Sequence, residues 1–192
     1  TSGFMSDTSN SSIDFLDQYD VRRDEGARTP GFFCLKSPVS INREVLDDLK
    51  RFSNSRGEDV RLSLHQKPEA AFHDMLIVQR RENGYRRPHR HSIKGETWHL
   101  LEGEMGAFVF DLDGNVTDSC LMRPDDFFLY RLEANHYHTV IPLSDFAIFH
   151  ESKPGPFLAE GDSIFPPWAP DNSDAGVAEA YQNNLINALV RD

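Results

Sequence analysis

The most informative pattern along the chain is a change from helical to strand periodicity near residue 58. Before it, in SPVSINREVLDDLKRFSNSRG, apolar residues recur every three or four positions, which predicts an amphipathic helix. Ser40 or Asn42 can cap this helix, and Gly57 lies past its end. The predicted apolar stripe is Val45, Leu46, Leu49 and Phe52, and the predicted solvated face is Glu44, Asp47, Asp48, Lys50 and Arg51.

From Val60 onward, short segments follow the alternation that is typical of strands. The segment FHDMLIVQR is the strongest of them, and it places His73, Met75, Ile77 and Gln79 on one face. RENG and an Asp-Gly pair mark turns between strands. Because strands follow one another without intervening helices, the pattern predicts an all-β sandwich or barrel.

A second helical segment, DAGVAEAYQNNLINALVRD, ends the sequence. Its predicted apolar stripe is Val177, Ala180, Tyr181, Leu185, Ile186 and Leu189. We expect four parts along the chain: a flexible N-terminal arm over 1–30, a docking segment and helix over 31–58, a β-barrel over 59–170, and a C-terminal helix over 171–192. Residues 1–4 have the composition of an expression scar, and Phe32 and Phe33 are expected to dock the second part onto the barrel.

Composition narrows the function classes. At 192 residues the chain can bury a full core, and 14 phenylalanines suit a β-rich one. The net charge of −11 argues against binding to a nucleic-acid backbone, and no apolar run reaches membrane-spanning length. The two cysteines, Cys34 and Cys120, form no disulfide framework, so a reduced cytoplasmic setting is predicted.

The segment GYRRPHRHSIKGETWHLLEG carries the strongest chemical signal. His89 and His91 are two apart, so in an extended chain both imidazoles point to one side. Glu96 follows after a short turn and can face them from the next strand. With His138 as a fourth ligand, this set suits Zn(II), Fe(II), Mn(II), Ni(II) or Cu(II). The alternative is that these histidines only form hydrogen bonds in a barrel or lie on its surface.

The same segment resembles the first motif of the cupin family, with Gly84, His-x-His, Glu96 and Gly103 in order. The departure is a spacer of four residues after Gly84 where the family has five. The family's second motif, Pro-x-Gly-x-x-His, is matched by EANHYH, which ends at His138. Asn replaces its Gly and also tolerates a positive φ. The resemblance implies a cupin double-stranded β-helix, or jelly-roll barrel, with a metal in its mouth.

Several further segments, in order, resemble the WbuC family of cupin metalloproteins. They are RLSLHQKPEAAFHDMLIVQR, PHRH, HTVIP, FHESKPGPF and FPPWAP, within residues 60–170. The resemblance implies a divalent metal and a small sugar-related ligand from bacterial surface-polysaccharide (O-antigen) synthesis. Cupins commonly pair through their sheets, so a homodimer is expected.

Other residues are candidates for proton transfer or substrate binding beside the metal. Tyr130, Tyr137 and His73 can move protons. The predicted substrate-pocket residues are Arg86, Gln79, Trp98 and His65. For each of them, packing or a structural hydrogen bond is the alternative.

Three functional hypotheses follow from the sequence. The first is a metalloprotein that acts on or binds a sugar or sugar nucleotide, with isomerisation or epimerisation as the reaction. The second is an Fe(II)-dependent dioxygenase, and the third is a non-catalytic module that binds a metal or small ligand. Iron with substrate-dependent O₂ uptake distinguishes the second, and ligand stabilisation without turnover distinguishes the third.

Overall fold

The structure is a computed structural model that describes residues 18–27 and 29–189. The strands are β1 Val21–Arg23, β2 Gly31–Cys34, β3 Val60–Ser63, β4 Phe72–Arg80, β5 Glu96–Glu102, β6 Met105–Phe110, β7 Val116–Met122, β8 Leu129–Leu132, β9 Tyr137–Pro142 and β10 Phe146–Pro154. The helices are α1 Arg43–Arg56 and α2 Ala175–Ala188, with short 3₁₀ turns at Arg81–Asn83 and Ala159–Gly161.

Two sheets face each other and form the barrel. One has seven strands in the order β1-β2-β3-β4-β10-β5-β8, and the other has three in the order β7-β6-β9. All pairs are antiparallel except β2 with β3, between which α1 forms the connection. The predicted all-β jelly-roll architecture with a helix on each side is confirmed.

The barrel interior is filled by the inward faces of both sheets. Met75 and Ile77 of β4 and Phe149 of β10 meet Met105 and Ala107 of β6 there. Since β4 is covered on both faces, its other row of residues is buried too. The alternation predicted for FHDMLIVQR is therefore present, but both of its rows carry apolar residues into a core.

Helix α1 covers the outer face of the large sheet. Asn42 caps it by accepting a hydrogen bond from the Val45 N–H at 3.1 Å, and Gly57 ends it at a φ of 65°. The prediction that Asp48 is solvated was wrong: Asp48 is 5% exposed and accepts a hydrogen bond from the Tyr19 hydroxyl at 2.5 Å. The partner lies 29 residues earlier, so helical periodicity could not reveal it.

Helix α2 covers the outer face of the small sheet, where Leu185 and Leu189 pack against Phe108 and Ile141. Val177 and Ala180 do not belong to the buried stripe that was predicted: Val177 is 54% exposed and Ala180 is exposed, whereas Ala178 is 2% exposed. Among the described residues, no helix is long and apolar enough to cross a membrane.

The N-terminal part forms two strands that the sequence analysis did not predict. β1 pairs with β2, and β2 carries Phe32 and Phe33, which are 1% and 3% exposed. Phe32 joins the core beneath α1, where its ring meets Phe52 edge-on at 5.3 Å. Both phenylalanines are thus buried within their own chain. Most of the arm predicted over 1–30, including residues 1–4, lies outside the described residues.

Candidate metal centre

Three histidines from the two predicted motifs meet at one end of the barrel. His89 and His138 form an antiparallel bridge, with N–H to carbonyl distances of 3.0 and 2.9 Å in the two directions. His91 lies two residues further on, with its ring centroid 5.0 Å from that of His89 and 5.8 Å from that of His138. One ligand nitrogen from each ring lies within 4.8 Å of the other two, which is compatible with metal binding.

In each histidine, the hydrogen bond made by Nδ1 determines that Nε2 faces the metal site. Every Nδ1 contacts a backbone carbonyl, which can only accept, so Nδ1 carries the proton and Nε2 of the neutral ring presents a lone pair. The contacts are His89 with the Arg87 carbonyl at 3.4 Å, His138 with the His136 carbonyl at 2.8 Å, and His91 with the Asp162 carbonyl. Metal-binding histidines show this arrangement.

Glu96, the first residue of β5, completes the cluster. Its Oε1 lies 3.0 Å from His91 Nε2, and its Oε2 lies 2.9 Å from His138 Nε2. Both nitrogens are buried, and each faces one oxygen of this carboxylate. Because carboxylate oxygens and imidazole lone pairs repel each other at this distance, the arrangement requires a cation between them, either a proton or a metal ion. The residues therefore fit a divalent metal.

Burial and neighbouring charges shift the pKa values of three groups in this cluster. Burial, together with His138, lowers the pKa of His89 to about 3, which keeps that ring neutral. Burial also opposes a charge on His91, but the contact with Glu96 outweighs it and raises the pKa. For Glu96, burial is outweighed by Lys153 and the two imidazoles, which hold the pKa well below its ordinary value. The carboxylate is therefore ionised and available to a cation.

Two charged residues of β10, Glu151 and Lys153, lie close to Glu96 of β5, and the sequence analysis did not predict them. Lys153 Nζ is 2.9 Å from Glu96 Oε1 and 2.9 Å from Glu151 Oε1. Trp98 donates its indole N–H to Glu151 Oε2 at 3.2 Å. Although burial disfavours the ammonium, the two carboxylates raise the pKa of Lys153 above its ordinary value. Alternation along β10 places Glu151 and Lys153 on the same face as the apolar residues Ala147 and Phe149, and this pattern could have revealed both residues.

Trp98, a predicted pocket residue, and His73, a predicted proton-transfer residue, lie beside the metal cluster or its charged neighbours. The Trp98 ring is 5.4 Å from that of His138 and is fully buried. His73 pairs with Lys153 across β4 and β10, while its Nε2 bonds to the Pro68 carbonyl at 2.9 Å. His65 stacks on His73, with 4.2 Å between the ring centroids.

The remaining predicted residues lie elsewhere. The Tyr130 ring stacks on Trp98 at 5.7 Å, but its hydroxyl donates to Asp118. Tyr137 belongs to the core beneath α2, on the opposite face of β9 from His138. Gln79 lies six residues along β4 from His73, which in a strand is about 20 Å.

Arg86 is held outside the barrel. Its guanidinium lies 2.8 Å from Asp59 Oδ2 and donates to the Arg80 carbonyl at 3.0 Å. Its backbone N–H donates to Gln182 of α2 at 2.8 Å.

A strap formed by residues 155–169 crosses the mouth of the site. Ile164 bridges to Arg90 through backbone hydrogen bonds of 2.9 and 3.0 Å. Asp162 forms a buried ion pair with Lys94, besides accepting from His91 through its carbonyl. The Phe165 ring lies 6.1 Å from the His89 ring and is half exposed. The strap thus fixes one imidazole and leaves an aromatic face at the entrance.

The second motif keeps its turn geometry despite the missing glycine. Asn135, at the position of the family's Gly, has a φ of 68°, in the left-handed region that Asn tolerates. Its N–H donates to the His91 carbonyl at 2.8 Å, so the turn joins the two motifs directly. With both motifs at one end of a double-sheet barrel, the architecture is settled. The chain has a cupin fold.

The family described as Domain of unknown function (DUF6016) matches residues 41–122, less than half of the chain. No curated protein matches the sequence.

Similar solved structures include CapF, a capsular polysaccharide assembling protein from Staphylococcus aureus, with 13% identity and a TM-score of 0.47 over 55% of this chain and 29% of that one. Oxalate decarboxylase from Bacillus subtilis has 14% identity and a TM-score of 0.43 over 56% of this chain and 27% of that one. L-ribose isomerase from Cellulomonas parahominis has 14% identity and a TM-score of 0.43 over 58% of this chain and 70% of that one. This chain thus covers less than a third of the length of the CapF and decarboxylase structures.

Proposed function

We propose that this cupin binds one divalent transition metal through His89, His91, Glu96 and His138. The observation that carries the proposal is the orientation of the three imidazoles, whose Nδ1 atoms face carbonyls while two buried Nε2 atoms face a carboxylate. Neutral imidazoles and a carboxylate suit Zn, Fe, Mn or Ni.

We further propose that the protein acts on or binds a sugar or sugar nucleotide of bacterial surface-polysaccharide synthesis, as a member of the WbuC family. The segments HTVIP, FHESKPGPF and FPPWAP support this, because two of them form β9 and the strap around the site. When bound, the metal would supply a Lewis acid that polarises a carbonyl or hydroxyl oxygen. The chain's own contribution is to exclude water with the strap, to place Lys153 beside the metal ligands and to present Phe165 at the entrance.

The test combines metal analysis with a ligand screen. Untagged protein is expected to carry close to one equivalent of a divalent transition metal by elemental analysis, and a sugar nucleotide is expected to raise its melting temperature. Turnover of that ligand without O₂ would support an isomerase or epimerase, whereas iron with substrate-dependent O₂ uptake would support a dioxygenase. Stabilisation without turnover would indicate a binding module. Protein that neither carries nor takes up a metal would refute the proposal.

We also propose a cytoplasmic homodimer. Its support is the edge strand β8 and the turn before it, where Phe127, Phe128 and Leu129 are 64%, 45% and 57% exposed. Exposed apolar residues on a free sheet edge mark an association surface. Sedimentation equilibrium is expected to give twice the mass of one chain, and Phe128→Glu is expected to halve it. A wild-type mass of one chain would contradict the dimer.

A further inference from the structure

The inward-facing residues along β10 change from apolar to charged toward the metal centre. Ala147 and Phe149 are fully buried in the apolar interior, and Glu151 and Lys153 continue the same row. Lys153 contacts both Glu151 and Glu96 at 2.9 Å, and its side chain is 14% exposed. A lysine that is this enclosed keeps its charge only with partners, and here it has two carboxylates.

The charges around the centre can be counted from these contacts. Glu96 and Glu151 contribute two negative charges and Lys153 one positive charge, while the three histidines are neutral when Nδ1 holds the proton. Lys94 and Asp162, the next charged pair, balance each other. With a divalent cation bound in place of any proton between the imidazoles and Glu96, these groups would carry one net positive charge, of which Lys153 supplies one unit.

We propose that Lys153 sets the charge of the metal centre: it balances a carboxylate in the empty site, weakens the attraction of the site for a cation, and gives the loaded site a preference for an anionic ligand. The inference rests on the metal site proposed above. Without Lys153, the same two carboxylates would attract a divalent cation more strongly, and the loaded cluster would be neutral. Charges a few ångströms apart interact strongly even where the effective dielectric constant is high.

A purely structural lysine predicts a different result. If Lys153 only supported the barrel, its loss would disorder Glu96 and weaken metal binding. If it acts through charge, its loss strengthens metal binding and weakens anion binding. Opposite changes in the two affinities are therefore diagnostic.

The experiment measures Co²⁺ affinity by isothermal titration calorimetry in full-length, metal-free protein. Lys153→Met is expected to bind Co²⁺ about tenfold more tightly than the wild type, and Lys153→Arg is expected to resemble the wild type. Because Lys153→Met can fail to fold without metal, Lys153→Gln serves as a second neutral variant whose amide can still donate to a carboxylate. Lys50→Met is the matched control, since Lys50 pairs with Glu102 on the outer face of the barrel, and its Co²⁺ affinity is expected to be unchanged.

The second measurement titrates azide into the Co²⁺-loaded proteins and follows the visible absorption of cobalt. Both neutral variants are expected to bind azide about fivefold or more weakly than the wild type, while Lys50→Met is expected to match it. Wild-type Co²⁺ binding with unchanged or weaker binding in both neutral variants would overturn this inference alone. If wild-type protein does not bind Co²⁺, the proposed metal site fails and the inference fails with it.

Discussion

The double variant His89→Ala/His91→Ala is expected to lose metal binding by more than about 100-fold. Loss of one outer partner of a metal ligand typically costs 10–100-fold in affinity, and this change removes two direct ligands. The two imidazoles lie with their centroids 5.0 Å apart, and His91 is 2% exposed, so water cannot readily take the place of its ring. Elemental analysis of protein purified without a tag, followed by Zn²⁺ titration of the metal-free forms, measures the effect.

Two other histidines of the same motifs supply matched controls. The His99 ring lies against Phe128 at 5.5 Å on the outer side of β5, and His136 bonds through Nδ1 to the Ala134 carbonyl at 3.0 Å. His99→Ala and His136→Ala are each expected to keep wild-type metal content. Equal metal content in the wild type and the His89→Ala/His91→Ala double variant would refute the proposed metal centre.

The proximity of the candidate ligands could be predicted because it depends on short-range rules. Two residues spaced two apart in extended chain share a side, which brings His89 and His91 together. The turn after them returns Glu96 at the start of a strand. His138 required the second motif, and its antiparallel bridge with His89 supplied the long-range contact.

The positions of the other residues around the site depend on long-range contacts, which the spacing of residues along the sequence does not predict. Gln79 and His73 share a face of β4, but the face runs the length of the barrel and only one end meets the histidines. Lys153 pairs with Glu151 two residues earlier on β10, but its other partner, Glu96 of β5, lies more than fifty residues away. Alternation therefore predicts which side of a sheet a residue occupies, whereas its depth in the barrel follows from strand register. Register in this fold is set by pairings between strands far apart in sequence.

Trp98→Ala is expected to destabilise the protein by about 3–5 kcal/mol, the cost typical of removing a buried aromatic side chain. Trp98 is 1% exposed, stacks on Tyr130 and packs in the interior core with Leu100 and Phe149. The substitution leaves a cavity in this core. It also removes the indole N–H that Glu151 accepts at 3.2 Å. Urea denaturation of metal-free protein measures the change in the free energy of unfolding.

Trp98→Phe separates packing from the hydrogen bond, because it keeps an aromatic ring and loses the N–H. It is expected to cost about 1–3 kcal/mol, the range for a buried acceptor that loses a hydrogen-bond donor. Since Glu151 then relies on Lys153 alone, the same variant is expected to bind metal with an affinity different from that of the wild type. A cost below about 1 kcal/mol for Trp98→Ala would contradict the role of Trp98 as the side chain that joins the barrel core to the metal centre.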